Sequence, residues 1–216
     1  MSANTVTALA DVRRAYRLLW AYQRRVMKYN QWIRDRLGFQ KYNVEYLFNR
    51  PGGDLESRWS WDSLPFSSIG FESVRCVADP DTYERKEWMN YPKAGDALLY
   101  VEVVSDSAIK DASWSKEPDP LRFAPVEECR TELKVWLVVN RIDRSSITNW
   151  HHTLVKEAPE WPKQGEVVND ARGIDIYCDI IDLSAVDNQE SLDRWIDEFA
   201  KAVEEKLDYI ATPTRR

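Results

Sequence analysis

Few residues in this chain are spaced for chemistry. One set combines Pro118-Asp119 with Glu132-Leu133-Lys134, two carboxylates and a cation separated by a polar stretch. Alternation along a strand puts Glu132 and Lys134 on the same face, where a carboxylate and an ammonium can act together. Nothing else reaches that standard. His151 and His152 are adjacent, so on a helix or strand their rings diverge and do not share a metal ion. Cys129 follows Glu127 and Glu128, which oppose a thiolate. Asp175, Asp179 and Asp182 read as charges guarding an outward edge strand. The phosphate-cradling and nucleophile motifs G-x-x-x-x-G-K-S/T, G-x-G-x-x-G and G-x-S-x-G are all missing.

The Pro118-Asp119 and Glu132-x-Lys134 pattern resembles the signature of the restriction-endonuclease-like nucleases. That resemblance implies Asp119 and Glu132 as Mg²⁺ ligands, with Lys134 orienting water and stabilising charge at the phosphate. Three features depart from the family. Pro120 follows Asp119 and disfavours a paired strand there. The preceding long helix holds no Glu, and Trp136 and Val138 continue the Glu132–Lys134 face as a half-buried surface.

Arg14-Ala15-Tyr16-Arg17-Leu18-Leu19-Trp20-Ala21-Tyr22-Gln23-Arg24-Arg25-Val26 and Trp59-Ser60-Trp61-Asp62-Ser63-Leu64 resemble segments of an uncharacterised bacterial protein family. Asp119 to Glu128 is similar too. This resemblance implies a bacterial or phage setting and assigns no mechanism.

The elements that must position these residues follow from periodicity. Thr5 to Leu37 contains neither Gly nor Pro, so it reads as one long helix ended by Gly38. Leu9, Val12, Tyr16, Leu19, Val26, Met27, Ile33 and Leu37 form its apolar face, expected to bury on the body of the protein. Gln23 and Asn30 interrupt that stripe and are expected at its edge, in water; in a helix–helix seam such amides would instead set register. Lys41 to Asp62 is expected as a loop. Phe66–Val77, Ala97–Val104, Glu132–Asn140 and a segment opening at Gly173 are expected as strands. Ser146–Glu157 is expected to be a short helix. Asp187 with Glu190 is expected to cap a final helix with Leu192, Trp195, Ile196, Phe199, Val203 and Leu207 on its stripe. Few helices separate the early strands. An α+β fold follows, one domain over residues 1–216, with long N- and C-terminal helices on a mainly antiparallel or mixed sheet in two layers.

Charge divides the chain unevenly. Residues 1–41 carry a net of +7, leaving −13 for the remainder of a chain whose total is −6. Arg13, Arg17, Arg24 and Lys28 lie on the polar side of the first helix and are the candidate partner-binding residues. The acidic remainder would repel nucleic acid everywhere else, so an acidic protein partner is favoured over a duplex, with a homodimer through this helix as an alternative. Trp59, Trp61, Trp88, Trp114, Trp150 and Trp161 fall in or beside expected loops, as anchors or contact points.

The N-terminus lacks a signal-like apolar region, no run spans a bilayer, and the three cysteines form no C-x-x-C. A cytoplasmic protein without membrane contact is the expectation. The leading functional expectation is a non-enzymatic interaction module, such as an immunity or anti-phage defence component, needing no cofactor. The alternative is a Mg²⁺-dependent nuclease using Asp119, Glu132 and Lys134.

Overall fold

Helix α1 runs from Ala3 to Arg36, as the unbroken helical composition requires. Gly38 follows at φ 74°, the left-handed conformation that ends a helix with least steric cost. The structure is a computed structural model that describes residues 3–46, 68–77, 91–111, 122–145, 150 and 161–211. Within these lie β1 (Gln40–Tyr46), β2 (Ser68–Arg75), β3 (Ala97–Val104), a short helix α2 (Ser107–Asp111), β4 (Glu132–Asn140), β5 (Val167–Asp170), β6 (Ile174–Asp182) and α3 (Gln189–Leu207). Expected features at Asp119, Trp59, Trp61, Trp88, Trp114, His151 and His152 fall outside the described residues, as does the Ser146–Glu157 helix apart from Trp150.

The six strands form one sheet in the order β1-β2-β3-β4-β6-β5, and every pairing is antiparallel. The fold is therefore α+β. Strand β1 occupies the start of the expected Lys41–Asp62 loop, because it pairs with β2 at the sheet edge. The pairing register shifts by one residue between Lys41 and Asn43. Strand β6 lies between β4 and β5, but β5 pairs only with Ile174–Tyr177, so Asp175 is interior to the sheet whereas Asp179 and Asp182 lie beyond that pairing. Asp175 instead pairs with Arg141 at 2.6 Å, and Asp182 accepts from the Ser184 amide at 2.8 Å.

One sheet face packs against both long helices. Ile69, Phe71, Leu99, Val101, Leu133, Val135, Leu137 and Tyr177 meet Val26, Ile33 and Leu37 of α1 and the stripe of α3. The α3 stripe comprises Leu192, Ile196, Phe199, Val203 and Leu207, all buried. Its N-cap is Asn188, one residue later than expected: the Asn188 side chain accepts from the Ser191 amide at 3.0 Å, and Ser191 Oγ accepts from the Asn188 amide at 3.3 Å. The cap moves because Ser191, not Glu190, occupies the third helical position.

The opposite face is also covered. Leu98, Tyr100, Trp136, Val138, Ile174, Ile176 and Cys178 pack there with Trp150, which is fully buried. Trp150 is thus a core residue. Gly70 lies under Tyr100, and a Cβ at position 70 would sit 2.6 Å from the Tyr100 ring. That ring is wedged against Trp136, with centroids 5.5 Å apart. Gly70→Ala is accordingly expected to lower stability by about 2 kcal/mol through overpacking. A urea midpoint that does not move would show that Tyr100 has room to turn away.

Candidate functional site

Two regions gather the residues singled out by their chemistry. The first is on β4. Glu132 and Lys134 do share one face, and Lys134 Nζ lies 3.4 Å from Glu132 Oε1. Arg130 Nε approaches Glu132 Oε2 at 3.8 Å. Sheet register adds a carboxylate that sequence reading missed: Glu102 on β3 stands directly opposite Lys134. Both Glu102 and Glu132 are buried, so Lys134 supplies positive charge where two carboxylates have lost most of their water. Period-two alternation does put Glu102 on the face of Tyr100 and Val104. Only the pairing register, however, decides which β4 residue it meets.

The same face becomes aromatic toward the end of β4. Trp161 reaches over it, 5.1 Å from Trp136 and 6.4 Å from Tyr100 between centroids. Cys178 is buried under this surface, and burial, followed by the nearby Asp179, pushes its thiol up to about 12. Cys76 is pushed up to about 12 by burial and by Asp96. The Cys129 thiol is raised as well, by desolvation and then by Asp106 and not by the neighbouring Glu127 and Glu128. None of the three is poised as a nucleophile. Among the described residues no group of three or more His, Cys, Asp or Glu side chains is placed to hold a metal ion. The nuclease set is therefore incomplete among them, since Asp119 lies outside, and no Mg²⁺-dependent step is derived from it.

The second region is α1, and here the expected burial needs correction. Val26, Ile33 and Leu37 are buried, yet Leu9, Val12 and Tyr16 on the same stripe are 43%, 50% and 72% exposed. From Thr5 to Ala21 every residue is exposed except Ala10 and Leu19, which are half-buried. At 1.5 Å per residue this half of the helix extends roughly 25 Å. The cause is geometric. The core residues that α1 contributes, Val26, Ile33 and Leu37, all come from the C-terminal half of this 34-residue helix, and the N-terminal half runs on beyond them.

That C-terminal half is clamped by polar contacts too. Arg36 pairs with Asp193 at 3.3 Å and Asp197 at 2.7 Å, and Trp32 Nε1 donates to Asp193 at 2.7 Å. Arg25 donates to the Val186 carbonyl at 3.0 Å. Local cancellation of the basic face thus holds for Arg36, and for Arg14 with Asp11 at 2.7 Å. It does not hold for the four candidate residues. Among the described residues, Arg13, Arg17, Arg24 and Lys28 make no ion pair, and Arg24 lies over the Trp20 ring at 5.4 Å. At 100° per residue these four side chains fall within about 60° of one another, a single basic stripe beside the exposed apolar one.

Asn30 also differs from expectation. It is 6% exposed and not at a wet edge, because the helix rests its C-terminal half directly on the sheet. Its Oδ1 has no hydrogen-bond partner among the described residues. Gln23, about two turns closer to the exposed half, is half-buried.

A family model described as PM0109 covers residues 2–208. No curated protein and no solved structure matches the chain.

Proposed function

The chain belongs to the PM0109 family, and from that premise we propose that it is a non-enzymatic interaction module that docks an acidic protein partner along the N-terminal half of α1. One observation carries this reading: apolar and cationic stripes run side by side on a helix segment that its own chain leaves exposed. A segment of that length is marginal as an isolated helix in water, so a covering partner would both bury its stripe and stabilise its backbone. Arg13 and Arg17 on that half, with Arg24 and Lys28 continuing the stripe beyond it, would select an acidic surface and speed encounter. A bacterial cytosolic setting and a role in immunity or phage defence belong to the same proposal.

Charge reversal tests it. Arg13→Glu with Arg17→Glu is expected to weaken partner capture at least tenfold while leaving the far-ultraviolet circular dichroism and melting temperature unchanged, since both residues are exposed. Capture at wild-type strength would overturn the reading. Self-association through the same stripe would show as a concentration-dependent mass in sedimentation and would point to a second copy instead.

A second reading, a Mg²⁺-dependent nuclease, is favoured by the shared face of Glu132 and Lys134 with Glu102 opposite. Its test is joined to the Lys134 variant discussed below.

A further inference from the structure

We propose that the hollow between the C-terminal half of α1 and the β1–β2 edge of the sheet binds a phosphomonoester carried on a hydrogen-bond-donating ring, a nucleoside monophosphate or a sugar phosphate in size. The cavity measures about 410 Å³, a volume suited to a ligand of that class. Arg24 and Lys28 from α1 and Lys41 from β1 line it. None of these three forms an ion pair among the described residues, whereas Arg34, also at the rim, is held by Asp35 at 2.8 Å. Glu72 of β2, a buried carboxylate, also lines the cavity, so Arg24, Lys28 and Lys41 face one acid and leave an excess of positive charge that suits an anion.

The buried wall carries the second requirement. Asn30 lines the cavity, is 94% removed from solvent, and leaves its Oδ1 without a hydrogen-bond partner among the described residues. An unpaired acceptor is costly to bury, and a leucine at this stripe position would avoid that cost. A ligand hydroxyl or amino group satisfies it. Met27 and the buried Phe71 give the cavity an apolar side on which a ring can rest. An anion without a donor answers only the cations, and an apolar ring without charge answers only Met27 and Phe71. A cyclic phosphomonoester answers both and Asn30 as well. The site shares Arg24 and Lys28 with the proposed docking stripe, whereas Asn30, Lys41 and Phe71 lie outside it, so the Asn30 and Lys41 variants test this site separately from partner docking.

The experiment is calorimetric titration of the full chain with AMP, GMP, CMP, UMP, ribose 5-phosphate, glucose 6-phosphate and inorganic phosphate. Saturable binding of at least one ring-bearing ester is expected, at least tenfold tighter than inorganic phosphate. Whether nucleotides or sugar phosphates bind identifies the ring. Lys41→Glu and Asn30→Leu should each weaken that binding at least tenfold. Asn30→Leu should also raise the melting temperature without ligand, which separates lost binding from lost folding, and Lys28→Gln provides a milder second variant of the anion contact. The proposal is overturned if no probe saturates, if inorganic phosphate binds as tightly as the esters, or if affinity survives Asn30→Leu and the lysine variants.

Discussion

Ile33→Ala will lower the stability of this protein by about 3 kcal/mol, whereas Leu9→Ala on the same helical stripe will change it by less than about 0.5 kcal/mol. Both positions carry branched aliphatic side chains on one 34-residue helix, and helical periodicity alone ranks them equally. Their surroundings differ. Ile33 is fully enclosed by the sheet and α3, so truncation leaves a cavity that close-packed neighbours cannot fill. Leu9 keeps much of its surface in water, so little burial is lost, and alanine is the better helix former. Urea unfolding followed by tryptophan fluorescence measures both. The comparison should be run at low and high protein concentration. A Leu9→Ala loss that matches Ile33→Ala at both would mean the N-terminal half is packed within the monomer, and the proposed docking surface would be gone.

Lys134→Ala should cost about 2–3 kcal/mol, less than for a fully buried pair because Lys134 retains some solvent contact. The loss comes less from the ion pair itself than from what it leaves behind: Glu132 at 8% side-chain exposure and Glu102 across the ladder, without the cation between them. Removing the Glu132 charge together with the lysine, as Glu132→Gln with Lys134→Met, is expected to recover most of that stability. A loss below about 0.5 kcal/mol for Lys134→Ala would show that Arg130 and water already balance the carboxylates. The same variant decides the nuclease reading. Purified protein incubated with DNA or RNA and Mg²⁺ would cleave only with Lys134 present if that reading holds, and cleavage that survives the substitution removes it.

Much of the fold was legible because local patterns and tertiary needs agreed. The period-two runs at Ala97–Val104 and Glu132–Asn140 became central strands at those limits. The stripe of α3 was buried as its spacing required. Failures occurred where a neighbour decided the outcome. Strand β1 is the exception: Tyr42, Val44 and Tyr46 alternate with Lys41, Asn43 and Glu45, a period-two signal carried by its own sequence, and it pairs with β2. Val167–Asp170 is too short to announce itself and is recruited by the β5–β6 hairpin, which closes through Gly173 at φ 75°. Trp150 was assigned to a loop margin by its neighbours in sequence, yet its bulk filled the second core.

The candidate sites divide the same way. Residue order alone determined an acidic chain with a basic leading helix, an α+β alternation of periodicities, and a glutamate and lysine on one strand face, since each depends on identity and spacing within a single element. Tertiary structure decided which half of α1 has a surface beneath it, that Asn30 is sealed from water, and that Glu102 meets Lys134. These are relations between elements distant along the chain. Helical and strand periods orient a side chain about its own axis but contain no information on how far the opposing surface extends or in what register two strands align.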